Sequence, residues 1–233
     1  MAEHAGTGTD NADAWKERLG WAFGLIADDP ADRAVAAARL AEARATVTDA
    51  LSRYNEMWRV TLPLGREEQM REPGLLRARR VYLQAQRHSL PEALWSHPAP
   101  RNLGTWSGLP YALLFLEWEA RFPQEWTTHA KAWGTKQRLI RALAQTSPGP
   151  VVRAKLTDLV ELVVSRAYRC KDREYVRVAR AVDGPELRAR LDRVAEADSP
   201  WARTHAGYVR WLLERPELPN TSRTWRGWLA REG

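Results

Sequence analysis

The stretch PVVRAKLTDLVELVVSRA, residues 150–167, decides the fold that we expect for this chain. Its apolar side chains recur in steps of three and four, which places them on one continuous stripe of an α-helix. Pro150 suits the first position of such a helix, because proline lacks an N–H group that would need a partner there and fixes a helical φ angle. We therefore predict a helix from Pro150 to about Ala167 that packs its apolar stripe into a core. That stripe consists of Val152, Leu156, Leu159, Val160, Val163, Val164 and Ala167.

The same helix start occurs elsewhere in the chain. The pattern Pro-x-x-Arg also opens amphipathic stretches at Pro30 and at Pro200. No segment shows the alternation of apolar and polar residues that is typical of a β-strand. The sequence therefore predicts an all-α protein of about eight to ten helices, arranged as stacked helical pairs or as an irregular bundle.

Two of these starts, SPGPVVR at residues 147–153 and DSPWAR at residues 198–203, resemble those of HEAT-like α-solenoids. The likeness covers roughly residues 128–215 and implies helix pairs stacked into a curved array, whose concave side binds protein or nucleic acid. Alternatively, each Pro-x-x-Arg is only a well-capped helix with a solvent-facing arginine. Alkylpurine DNA glycosylases are HEAT-like proteins of this size, but the Trp-Trp-Asp that we expect for their site does not occur in this sequence.

Length and composition bound the domain organisation. A chain of 233 residues with 44% apolar side chains is long enough to bury one sizeable core. We predict a disordered tail over residues 1–13 and a single all-α domain over residues 14–233. Residues 96–109 combine glycines and prolines, so we expect the longest loop there and place any bend or domain seam in it.

The location of the protein is predicted from what the sequence lacks. Its first residues show no apolar signal-peptide core, and no run of eighteen apolar residues occurs. The single Cys170 excludes an intramolecular disulfide, which fits a reducing compartment. We therefore expect a cytoplasmic protein with no membrane partner.

The net charge of +7 is distributed unevenly. Residues 1–60 carry seven basic and ten acidic side chains, a net charge of −3, whereas residues 61–150 and 151–233 each carry a net charge of +5. A basic middle and rear favour an anionic partner, either DNA or RNA, or an acidic protein. The alternative is that the excess of arginine and alanine reflects a GC-rich coding sequence.

The densest group of cations forms a candidate phosphate-binding segment, with a tyrosine that could stack on a base. Only two acidic residues interrupt it, and it lies where one predicted helix gives way to the next. Alternatively, it is a solvated rim of arginines. We name this group the basic segment; it consists of Arg166, Tyr168, Arg169, Lys171, Arg173, Arg177 and Arg180.

The chain contains twelve tryptophans, and two of them form a second candidate binding element. Trp225 and Trp228 lie three residues apart in a short arginine-rich helix predicted over residues 222–231. Such a helix is too short to be stable alone. We expect its aromatic face either to cap the core of this chain or to anchor a partner.

No motif for metal binding or catalysis emerges from the sequence. The histidines lie far apart, with no pair spaced to place two ligands on one helical face. Asp28 and Asp29 precede Pro30, where carboxylates cap a helix and favour its dipole. We therefore predict no metal and no cofactor, and we favour a protein that is not an enzyme.

Together these features predict a non-catalytic helical binding module that docks an anionic macromolecule. Two alternatives stay open at this point. One is a helical-bundle enzyme whose pocket is lined by the surplus tryptophans, and the other is a subunit of a larger assembly.

Overall fold

The computed structural model describes residues 11–232, which form an all-α protein with no β-strand. Three 3-10 segments, at Gly20–Ile26, Glu92–Leu94 and Asp172–Glu174, connect the α-helices. The helices are α1 (Ala12–Leu19), α2 (Pro30–Thr61), α3 (Arg66–Arg71), α4 (Pro73–Arg87), α5 (Pro100–Leu103), α6 (Leu109–Arg121), α7 (Pro123–His129), α8 (Trp133–Leu143), α9 (Pro150–Val164), α10 (Tyr175–Ala181), α11 (Pro185–Ala195), α12 (Pro200–Leu213) and α13 (Ser222–Glu232).

The all-α class is confirmed, but the described residues contain thirteen α-helices rather than the eight to ten predicted. The short helix α5 lies within residues 96–109, where the longest loop was predicted. Helices α7 and α8 are separate elements, and Lys131 adopts a left-handed φ of 47° between them. Short helices of this kind carry too little apolar periodicity to be recognised in a sequence.

The proline-started helices begin where the pattern placed them. In α2, Pro30 follows Asp29, whose side chain accepts a hydrogen bond from the backbone N–H of Ala31. In α9, Leu159 is fully buried and Val163 is nearly so, as the apolar stripe predicted. Residues 1–10 of the predicted tail lie outside the described residues.

The chain divides into two compact units that interleave along the sequence. Unit 1 comprises the chain up to Ser96 together with Gln124–Lys131, and unit 2 comprises His97–Pro123 together with the chain from Ala132 onward. The prediction of one domain with a seam at residues 96–109 stays a prediction.

Unit 1 is built around the long helix α2, which packs against α4 and the 3-10 segment at Gly20–Ile26. Two arginines of α2 attach α7 to this unit. Arg33 forms an ion pair with Glu125 at 3.1 Å, and Arg44 donates a hydrogen bond to the backbone carbonyl of His129. The α7 side chain of Trp126 is fully buried.

Unit 2 has α6 in its core, where eleven of the thirteen helix residues are buried. Helix α9 packs against α6, α10 and α11, and α11 packs against α12. The chain ends with α13, which lies on α12. A Cβ atom at Gly207 of α12 would come within 3.3 Å of the Trp228 ring, so the absence of a side chain there allows the indole to approach the helix closely.

None of the helices within residues 11–232 combines the length and apolar character needed to cross a membrane.

Candidate functional site

A cluster of five charged side chains lies inside unit 2. The ammonium group of Lys136 in α8 is fully buried and lies 2.8 Å from Glu119 Oε2 and 2.6 Å from Asp172 Oδ1. Arg166 bridges the same two carboxylates, at 2.9 Å from Glu119 Oε2 and 2.8 Å from Asp172 Oδ2. Arg169 lies 3.0 Å from Glu119 Oε1. We call these residues the ion cluster.

The ion cluster contains three cations and two carboxylates, so its formal charge is +1. Glu119 and Lys136 are fully inaccessible to solvent, and the arginines are mostly buried. Buried charges are tolerated when they are paired and hydrogen-bonded, which is the case here. One positive charge of the cluster is therefore not balanced by a carboxylate within it.

A pocket of about 590 Å³ adjoins the ion cluster. This volume lies in the range of small-molecule binding pockets. Five valines and one alanine supply its aliphatic wall, and five of its six ring-bearing side chains form a contiguous aromatic wall. Asp172, Arg173 and Tyr175 are the other residues that line it. The five rings, which we call the aromatic wall, are Tyr168, Trp201, His205, Tyr208 and Trp225.

The rings of the aromatic wall contact one another. His205 lies at their centre, with ring centroids 5.8 Å from Tyr168, 6.1 Å from Trp201 and 6.0 Å from Trp225. The Tyr208 and Trp225 rings meet edge to face at 4.7 Å. Trp201 is 58% exposed, so a large part of its indole faces solvent and is available for stacking.

Two polar groups of the pocket have unusual environments. The Tyr175 hydroxyl is buried and has no hydrogen-bond partner among the described residues. Burial and the nearby carboxylates of Glu119 and Asp172 raise the pKa of Tyr175 well above its ordinary value, so the hydroxyl remains a hydrogen-bond donor. Burial lowers the pKa of His205, so its ring is neutral at pH 7.

Several residues of the basic segment hold unit 2 together. Besides Arg166 and Arg169 in the ion cluster, Arg180 donates hydrogen bonds to the backbone carbonyls of Leu212, Arg215 and Leu218. Arginine side chains used in this way stabilise the fold, and their guanidinium groups are largely engaged before any ligand arrives.

The remaining cations of the basic segment lie nearer the surface. Arg173 is exposed and donates one hydrogen bond to Ser222 Oγ. Arg177 forms an ion pair with Glu174 at 2.9 Å. Burial raises the pKa of Glu174, but hydrogen bonds from Arg141 and Gln137 outweigh this effect and lower the pKa to about 2. Lys171 adopts a left-handed φ of 71° and forms no ion pair within residues 11–232.

The aromatic candidates of the sequence meet in the same region. Tyr168 and Trp225 lie in the aromatic wall. Trp228 is 5% exposed and packs beneath Tyr208 and Trp225, with centroid distances of 5.3 and 5.5 Å. The structure thus brings Tyr168, Arg173 and Trp225 to one pocket and places Trp228 behind it.

Sequence reasoning missed Lys136, Glu119, Trp201, His205 and Tyr208. A signal existed for the first two. Lys136 lies three residues after Trp133 and three before Leu139, on the apolar stripe of α8, and Glu119 follows the fully buried Phe115 by four residues in α6. A charge on an apolar stripe indicates a buried ion pair.

Within residues 11–232 no group of three or more histidine, cysteine, aspartate or glutamate residues is placed to hold a metal ion.

Comparison with known proteins assigns no family to this arrangement. No family model matches the chain, and neither a curated protein nor a solved structure shows a significant similarity to it.

Proposed function

We propose that the protein is a helical binding module for single-stranded nucleic acid, in which the pocket of unit 2 receives a base and Arg173 contacts a phosphate. The observation that carries this proposal is the aromatic wall beside an ion cluster of charge +1. Proteins that bind single strands combine aromatic side chains, on which bases stack, with cations that follow the phosphates.

Two further contacts support a base as the group that enters. The Tyr175 ring lines the pocket and offers the base a further aromatic contact. Trp201 offers an exposed ring face at the same pocket. Arg173 is exposed and lines the pocket, so a phosphate of the nucleotide whose base enters can reach its guanidinium group.

The arrangement of the helices adds a weaker argument. We propose that α9 to α12 form HEAT-like helical pairs, which fits the packing of α9 on α11 and of α11 on α12. The cytoplasmic location likewise remains a proposal, based on the single Cys170.

A binding titration tests the function. Fluorescence anisotropy of a labelled oligothymidine of about 15 nucleotides should report binding that weakens steeply as salt rises, because each phosphate contact releases counterions. Trp201→Ala should weaken binding about tenfold, since loss of one stacked base costs about 1–3 kcal/mol. Arg173→Gln should reduce both the affinity and the salt dependence.

Matched controls separate these effects from general damage. Trp95→Ala removes an indole of unit 1 that is 43% exposed, and Arg153→Gln removes an exposed cation from α9 that does not line the pocket. Neither should change the affinity more than about twofold. Absence of binding in low salt, or equal losses in the controls, would show that the pocket is not a nucleic-acid site.

The pocket also favours a second candidate function. An aromatic pocket of about 590 Å³ with the neutral ring of His205 suits a small planar ligand, and His205 could accept a proton from it. In that case a nucleoside or another flat heterocycle should bind as tightly as the oligomer does, without salt dependence.

A further inference from the structure

Unit 1 contains a groove that is separate from the pocket of unit 2. It encloses about 800 Å³ and is lined by residues of α1 and α4. Four of the nine lining residues are arginines, one is a histidine and one is a glutamate. The lining residues are Glu17, Arg18, Leu76, Arg79, Arg80, Leu83, Gln84, Arg87 and His88.

Two cations of this groove are available to a partner. Arg79 and Arg80 are exposed, and neither forms an ion pair within residues 11–232. Arg18 lies over the Trp15 ring, with its guanidinium carbon 5.6 Å from the ring centroid, and this contact positions its charge beside the groove. Burial, and then the charges of Arg18 and Arg87, lower the pKa of His88, whereas the charge of Glu17 raises it.

Two exposed leucines lie among these cations. Leu76 and Leu83 are 41% and 45% exposed and are seven residues apart, so they lie on one face of α4, two turns from each other. Arg79 and Arg80 lie between the two leucines along the helix, and Arg87 lies one turn beyond Leu83. The groove thus presents two apolar contact points with positive charge between and beside them.

We infer that this groove docks an acidic amphipathic helix supplied by a partner protein. Such a helix would pack its apolar side chains on Leu76 and Leu83 and place its flanking carboxylates near Arg79 and Arg80. The lined part of α4, from Leu76 to Arg87, has a length of about 17 Å, which corresponds to about three turns of a partner helix.

The side chains of the groove discriminate between this occupant and a nucleic acid. None of the nine lining residues is a phenylalanine, tyrosine or tryptophan, so an extended single strand would find no stacking surface apart from the imidazole of His88. A strand would also leave both leucines uncovered, whereas an amphipathic helix uses the leucines and the arginines together.

The test measures binding of a labelled acidic helical peptide to the full chain. The probe is a peptide of about 15 residues with leucines spaced three and four apart and glutamates beside them. The double variant R79E/R80E, and separately Leu76→Ser with Leu83→Ser, should each weaken binding about tenfold or more. All four positions are exposed, so the variants should retain the circular dichroism spectrum of the parent protein.

A charge-matched control makes the result specific. R66E/R77E changes the net charge by the same amount at two exposed arginines outside the groove, and it should leave the affinity within about twofold of the parent. The inference fails if this control weakens binding equally or if a scrambled peptide of the same composition binds as tightly. It also fails if R79E/R80E leaves peptide binding unchanged and impairs only the binding of oligothymidine or of phosphatidylserine vesicles. Trp201→Ala should not affect the peptide, which keeps this test independent of the pocket in unit 2.

Discussion

Lys136 is fully buried between Glu119 and Asp172, and both carboxylates also contact Arg166. The effect of a substitution in the ion cluster therefore depends on the charge that remains, as well as on the contacts that are lost. Removal of a carboxylate leaves a charge of +2 in the interior. Removal of the lysine leaves two arginines facing two carboxylates, which is a neutral arrangement.

We predict that Glu119→Gln destabilises the protein more than Lys136→Met does. The glutamine variant leaves buried positive charge without compensation and should reduce the free energy of unfolding by about 3–5 kcal/mol. The methionine variant keeps an arginine beside each carboxylate, so its loss should be smaller by at least about 1 kcal/mol. Urea unfolding of both variants at pH 7 measures the difference. Equal losses, or a larger loss for Lys136→Met, would mean that charge balance does not govern the cluster.

The same residues show what a sequence can predict. The periodicity of α8 marks Lys136 as lying on an apolar stripe, because helical periodicity is a local property. Its partners cannot be read in that way, since Asp172 lies 36 residues further on and Glu119 belongs to a different helix. For the same reason, the density of cations in the basic segment gave no indication of their partners inside unit 2. Arg166 pairs with carboxylates there, and Arg180 donates hydrogen bonds to backbone carbonyls.

At the scale of helices, α13 illustrates how packing stabilises an element that is too short to persist alone. Its sequence predicted an aromatic face and left open whether that face caps the core or anchors a partner. In the structure Trp228 packs on Gly207 of α12 and on the Tyr208 ring, whereas Leu229 is 38% exposed. The spacing of the tryptophans placed both rings on one face, and in the structure their centroids lie 5.5 Å apart. The helix against which this face packs, α12, could not be predicted, because contacts between helices depend on tertiary packing.

We predict that Trp228→Ala lowers the stability of the whole protein. Truncation of a buried aromatic side chain costs about 3–5 kcal/mol, through lost burial and the cavity that remains. Leu229→Ala, one residue away on the same helix, is the control and should cost less than about 1 kcal/mol. Thermal unfolding followed by circular dichroism compares the two. A Trp228→Ala protein that melts like the parent would leave the anchor interpretation in place.

At the scale of the whole molecule, the two units share the chain in an interleaved order. Unit 1 takes Gln124–Lys131 from a stretch whose neighbours on both sides belong to unit 2. This segment carries the fully buried Trp126 and the carboxylate that pairs with Arg33. The glycines and prolines of residues 96–109 indicated an irregular stretch. Nothing local to residues 124–131 indicates which unit they join, because their place in unit 1 depends on contacts with residues about 90 positions away in the sequence.

We predict that Trp126→Ala in the full chain destabilises unit 1 more than unit 2. Loss of the buried indole should cost about 3–5 kcal/mol, and the loss should appear as faster amide hydrogen exchange in α2 and α4. Peptides from α9 and α12 should keep their protection, because Trp126 belongs to unit 1. Thr128→Ala, at an exposed position of the same helix, is the control. Uniform loss of protection across both units would show that they unfold as one.

The interleaved order also constrains how this protein could change in evolution. A gene segment that encodes a continuous unit can be duplicated or joined to another gene with its fold intact. Neither unit here corresponds to such a segment. A copy of residues 97–233 would include Gln124–Lys131, which belongs to unit 1. Unit 1 would then lack Trp126, and the buried indole would be separated from the rest of its unit. We therefore expect the two units to be inherited together, and recombination within residues 97–131 to be selected against.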